Sequence, residues 1–170
     1  MSKLFLVPVS EEYKEEILSY RRECLENGEA HIEGAGGLED FEVFENYEKQ
    51  LRLYRENPPS GRVKGTQFCG VIGGRVVGML NLRHELNDYL LSFGGHIGYS
   101  VRPSERGHGY ATEMLTLALD ECRKLGILRV LVTCNDDNAA SARTILKCGG
   151  VMENKVSCDS VPMRRYWIIP

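Results

Sequence analysis

The residues best suited to chemistry lie in one stretch, Tyr99-Ser100-Val101-Arg102-Pro103-Ser104-Glu105-Arg106-Gly107-His108-Gly109-Tyr110-Ala111-Thr112. The pattern predicts a strand that passes through a glycine-containing loop into a helix. In the first turn of a helix the N–H groups have no intrahelical acceptor, and the helix dipole places partial positive charge there. Gly107 and Gly109 lack a Cβ, so an anion can approach the backbone. Arg106 can add a charge-assisted hydrogen bond. The chemistry indicated is the cradling of a phosphate. A lone glycine pair more often only shapes a connection, so its surroundings must decide.

Two familiar phosphate loops compete. A P-loop fails because no Lys-Ser/Thr follows at the required spacing. A dinucleotide-binding unit is harder to dismiss: Gly107-x-Gly109 follows a strand, opens a helix and has Asp136 after the next strand. Against it, the third small position is Thr112, and an antiparallel hairpin precedes the unit where repeating βαβ is needed.

That hairpin belongs to a longer series of elements. Ser10 is placed to cap a helix with Glu11 and Glu12 in its first turn and Tyr13, Ile17, Tyr20 and Cys24 on one face. A glycine-bearing loop, 28–37, leads to a second helix marked by Phe41, Phe44, Tyr47, Leu51 and Tyr54 and stopped by Pro58-Pro59. Residues 67–72 and 75–82 flank Gly73-Gly74 as a β-hairpin, and 95–101 form the next strand. A helix then buries Met114, Leu115, Ala118, Leu119 and Cys122 and ends at Gly126. Residues 129–134 read as a buried parallel strand. Asn138 caps a helix over 139–147, Gly149-Gly150 breaks it, and two strands are expected around 157–161 and 164–169. The order is ααβββαβαββ, with no linker or repeat to divide it.

Motif and order together resemble the GNAT superfamily of N-acetyltransferases. The pyrophosphate loop of that family reads Gln/Arg-x-x-Gly-x-Gly/Ala, and Arg106-Gly107-His108-Gly109-Tyr110-Ala111 matches every fixed position. The likeness runs from about Thr66 to the C-terminus, and the two preceding helices fit it. It implies an α/β (α+β) domain over residues 1–170, with a mixed central sheet flanked by helices. It further implies an acetyl-CoA-dependent enzyme that joins an acetyl group to a primary amine by direct attack in a ternary complex. Arg106, Gly107, His108, Gly109, Tyr110 and Ala111 would hold the pyrophosphate, Tyr99 and Val101 the pantetheine arm, and Asn138 the same arm or its own helix. Arg102 reads as a solvated loop cation or a contact to the adenosine phosphate. Many relatives place a proton-donating tyrosine seven residues after the asparagine, but Ile145 stands there. A catalytically silent acyl-CoA-binding module is therefore the alternative.

An amine must be neutral to attack a thioester, and alkylamines are largely protonated at pH 7. A base is expected between the hairpin and the following strand, where Glu85 and His96 are the candidates. Tyr20, Tyr89, Phe93 and Tyr99 either line the acceptor pocket or belong to the core. Main-chain N–H groups from 97 to 101, freed where two parallel strands splay, would stabilise the oxyanion.

Composition agrees with these expectations. With 21 Lys+Arg against 24 Asp+Glu, the net charge of −3 argues against nucleic acid or an anionic membrane as partner. The acceptor would be a small-molecule or peptide amine, and a homodimer stays open. The six cysteines are scattered in a chain long enough to fold without bridges, which favours reduced thiols and a cytoplasmic setting. No Cys-x-x-Cys pair or His at i, i+4 suggests a metal.

Overall fold

The computed structural model describes residues 2–170. Seven strands form one sheet: β1 (Phe5–Pro8), β2 (Gly65–Ile72), β3 (Arg75–Arg83), β4 (Ile97–Val101), β5 (Val130–Asn135), β6 (Val151–Cys158) and β7 (Val161–Ile168), in the order β1-β2-β3-β4-β5-β7-β6. Four helices, α1 (Lys14–Glu26), α2 (Phe44–Glu56), α3 (Tyr110–Lys124) and α4 (Ala139–Lys147), cover its two faces. Side-chain alternation on the strands sorts the core into two layers. Phe68, Leu80, Leu82 and Ile97 meet α3 and α4, whereas Cys69, Val71 and Met79 meet α1 and α2.

The β2–β3 pairing carries an irregularity. Gly70 pairs Gly78 but Val71 pairs Val76, leaving Val77 as an extra residue in β3. Such a bulge reverses the face on which later side chains fall. Val76 and Val77 are both fully buried on opposite sides, as alternation requires, and the extra residue shows one step later, where Val77 and Gly78 both face Met114 and its α3 layer.

All pairings are antiparallel except β4 with β5, which share only the register pair Ile97–Val132. Beyond it the two strands separate. The apolar run Val130-Leu131-Val132 is fully buried, as a strand covered on both faces requires.

Several expectations need correction. Strand β1 was not anticipated; four residues are too few for a periodic signal, and its edge position tolerates Pro8. The Ser10 side chain makes no cap hydrogen bond; its carbonyl closes a 3-10 turn with Tyr13 N–H, and α1 follows. Phe41 precedes α2, although its ring lies 5.8 Å from that of Tyr47. The strand expected around 157–161 contains a turn at Asp159 and Ser160, both at positive φ, so β6 ends and β7 begins within it.

Arg102 is not a solvated loop cation, and it does not line the cleft described below. It is 1% exposed, with Nη2 donating to Glu16 O at 3.0 Å and the guanidinium 3.4 Å from carboxylate oxygens of both Glu16 and Glu23. The Tyr20 ring lies 5.7 Å from its Cζ. A charge drawn inside this way needs partners, and the α1 carboxylates supply them.

All six cysteines are free. Among the described residues no helix is long and apolar enough to cross a membrane.

Candidate active site

The separation of β4 and β5 opens a cleft of about 1750 Å³ that runs from the N-terminus of α3 across β4 to the loop between α1 and α2. Its donor end is built from consecutive elements. Gly109 caps α3 at φ +84°, a left-handed conformation that glycine adopts without Cβ strain. The first intrahelical bond runs from Glu113 N–H to Gly109 O. The N–H groups of Tyr110, Ala111 and Thr112 thus have no backbone acceptor, and all three residues line the cleft. An added Cβ at Gly107 or Gly109 would meet no atom within 4 Å. The loop is open to a bulky anion. Arg143 and Lys147, one turn apart on α4, line the same cleft.

Tyr99, Val101, Arg106, Gly107, Gly109, Tyr110, Ala111 and Asn138 are brought together along this cleft. Arg106, however, turns its guanidinium toward the protein: Nη2 meets Glu29 Oε1 at 2.5 Å and Nε donates to Val101 O at 3.1 Å. His108 is exposed, stacked on Tyr110 at 5.6 Å, and its Nδ1 lies 3.0 Å from Glu105 O. The Asn138 side chain accepts from Ser141 N–H at 3.0 Å, the N-cap of α4. The Tyr99 hydroxyl lies 2.7 Å from Ser141 Oγ, joining β4 to α4; burial pushes its pKa up, opposed by that hydrogen bond. Ile145 is fully buried. Tyr89 and Phe93 also line the cleft, whereas Tyr20 is core.

Glu85 and His96 are not brought to the cleft. Glu85 is exposed on the loop after β3. His96 is buried beside β5, where its Nδ1 accepts from Leu131 N–H at 3.0 Å. Desolvation, reinforced by Arg83, pushes its pKa down to about 4. The imidazole is neutral at pH 7, but its acceptor lone pair already holds the backbone.

A different carboxylate faces the splayed strand. The loop after α1 presses Gly34 so close to β4 that a Cβ there would lie 2.3 Å from Gly98 O. This contact brings Glu33 over the strand: a Cβ at Gly98 would sit 2.9 Å from Glu33 Oε1 and 3.4 Å from Arg83 Nη2. Glu33 also lies 3.3 Å from His31, whose other ring nitrogen is 2.5 Å from Glu39. The His31 contact, helped by Arg83, holds the Glu33 carboxyl below its ordinary range against the opposing effect of burial. Reciprocally, Glu33 and then Glu39 raise His31 to about 9, against some desolvation. At neutral pH the cleft therefore holds an ionised carboxylate beside a protonated imidazole. Sequence reasoning missed Glu33 and Arg83 because they reach Gly98 only through the folded loop. The glycines bracketing Glu29, His31 and Glu33 were the available signal.

The profile of the acetyltransferase (GNAT) domain family matches residues 4–151. The chain belongs to this family of acetyltransferases. No curated relative matches it in sequence. Among solved structures it is similar to Mycobacterium smegmatis RimJ in complex with CoA-disulfide, at 20% identity and TM-score 0.73, covering 98% of this chain and 81% of that one. It is likewise similar to RimL, a ribosomal L7/L12 α-N-protein acetyltransferase in complex with coenzyme A, at 15% identity and TM-score 0.71, covering 98% and 93%. A spermidine N-acetyltransferase SpeG chimera from Vibrio cholerae and hSSAT matches at 17% identity and TM-score 0.66, covering 99% and 96%. These likenesses establish the mixed-sheet fold. Among the described residues, no group of three His, Cys, Asp or Glu side chains could hold a metal ion.

Proposed function

We propose that this acetyltransferase moves an acetyl group from acetyl-CoA to a primary amine by direct attack, with both substrates in the cleft at once. The observation that carries this reading is the convergence of three features on β4: unpaired amides at the start of α3, the strand's separation from β5, and the Glu33 carboxylate above Gly98. Amides from Gly107 to Ala111 take the pyrophosphate, with His108 and Tyr110 forming the outer wall of the loop. Arg106 serves chiefly by tying that loop to Val101 and Glu29. Tyr99 and Val101 offer main-chain groups to the pantetheine arm, and Asn138 orients α4 beside it. Acetyl-CoA supplies the activated acyl group; the chain supplies position and proton management.

Glu33 attracts the acceptor's ammonium, takes its proton directly or through one water, and leaves the amine lone pair aimed at β4. The departing thiolate needs a proton less urgently, since a thiol is a good leaving group. Ile145 offers none, whereas the Tyr99–Ser141 hydroxyl pair lies on the cleft wall and is assigned that donation.

Thiol release from acetyl-CoA across an amine library tests the reaction. Replacing a general base costs about 10²–10⁴-fold in rate, so Glu33→Gln should lose that much kcat/KM while still binding acetyl-CoA. If the loss falls instead on Glu85→Gln or His96→Asn, the base lies there and Glu33 only shapes the cleft.

A further inference from the structure

The guanidinium of Arg83, at the end of β3, lies on the acceptor side of the cleft beside Gly98, and its hydrogen bonds are lopsided. Nη1 donates to the carbonyls of Gly94 and Gly95 at 3.1 and 3.4 Å. These bonds fix the plane of the group. Nε and Nη2 have no protein acceptor among the described residues, and Arg83 lines the cleft. The free edge is therefore the side-on fork of two parallel N–H donors, whose geometry matches a carboxylate.

The natural internal partner does not take this edge. Glu33 and Arg83 reach the same space above Gly98, yet no ion pair joins them among the described residues; Glu33 pairs with His31 instead. A carboxylate and a guanidinium thus stand apart across a narrow gap, each with capacity left. An ammonium suits the first and a carboxylate the second.

Resting on the transfer reading above, we infer that the acceptor is a small zwitterion, an amine bearing a carboxylate on the adjacent carbon, with Glu33 receiving its ammonium and Arg83 its carboxylate. A polyamine fits this arrangement poorly. Glu29 is held by Arg106, so a polyamine's second ammonium finds no free carboxylate beside Glu33 among the described residues, and a long polycation would have to pass Arg83. A peptide N-terminus supplies the ammonium but presents a neutral carbonyl to a fork built for an anion.

The test uses the intact protein, acetyl-CoA and a matched panel: the common L-amino acids, their α-amides, the corresponding decarboxylated amines, and spermidine. Thiol release should favour free acids over their amides by about 10–100-fold, as expected for charge-assisted hydrogen bonds to one group. In Arg83→Gln that preference should disappear through a raised KM, with kcat changed far less, and Arg83→Lys should restore part of it. Thermal stabilisation by acetyl-CoA confirms that each variant is folded and loaded. Equal or better use of amides, plain amines or spermidine by the wild type overturns the inference and leaves the transfer reading standing. A uniform fall in kcat for every amine in Arg83→Gln also overturns it, because Arg83 would then act on the acetyl donor. Release with no amine at all, despite bound acetyl-CoA, refutes the transfer reading itself.

Discussion

Replacing Arg102 by alanine should unfold the protein more readily without directly touching the cofactor loop. The side chain is 1% exposed, so its removal leaves a void between α1 and β4 and strands the Glu16 and Glu23 carboxylates. Breaking a buried ion pair from one side costs about 3–5 kcal/mol. Glu16 and Glu23 keep 34% and 28% of their exposure, however, so water recovers part of the loss. Glu23 also retains its 2.7 Å hydrogen bond from Ser104 N–H. These corrections bring the expected loss to about 2–3 kcal/mol. For a domain of this size the Tm should fall by about 4–12 °C. Urea unfolding followed by fluorescence, with a calorimetric scan beside it, measures both. A loss under about 0.5 kcal/mol, typical of surface substitutions, would refute the clamp. A tenfold weaker acetyl-CoA affinity at unchanged stability would place Arg102 at the nucleotide instead.

Three further outcomes are expected. Because the His96 pKa falls to about 4 when the protein folds, its contribution to stability is complete above the unfolded value of about 6.5 and is lost as pH drops toward 4; His96→Asn should flatten that part of the stability profile. His31 behaves oppositely: an NMR titration should give a pKa near 9, with its stabilising effect full below about 6.5 and gone once the pH passes 9. Glu39→Gln should move that titration downward. Gly109→Val forces a β-branched residue to φ +84°, a strain of about 1–2 kcal/mol; calorimetry should show acetyl-CoA binding weakened at least about tenfold in a protein that remains folded, and unchanged affinity would dismiss the phosphate cradle.

The glycine-loop half of the cleft was readable because its parts are local. A glycine loop between a strand and a helix is written in consecutive residues, and Asn138 announces the next helix in the same way. The hairpin and α3 were equally plain from alternation and helical spacing. What escaped depends on contacts between distant segments. Glu33 looks like one more loop carboxylate until Gly34 packs on Gly98. Glu85 looked suitable because it follows the hairpin, yet in its loop Asn87 and Tyr89 line the cleft while Glu85 is exposed outside it. His96 was expected inside the strand over 95–101 but directly precedes β4, and the Leu131 amide that occupies its nitrogen belongs to another strand. Arg102 carries a charge in a Pro-containing connection, and nothing nearby in sequence reveals that α1 will bring two carboxylates over it. The extra residue at Val77 is likewise invisible without the partner strand that defines the register.

The packing of Gly34 against Gly98 has a consequence for how such an enzyme diversifies. The residues proposed to hold the donor come from one uninterrupted run of chain between β4 and α4, while the opposite wall of the cleft is borrowed from the loop after α1, the end of β3 and the turn before β4. Changes in the borrowed pieces can retarget the enzyme without altering how it holds its donor. Only the point of closest approach is shared, and there both chains must stay small. A graft of residues 29–33 from a relative with another acceptor, leaving the two glycines in place, would carry selectivity with it as a separable trait.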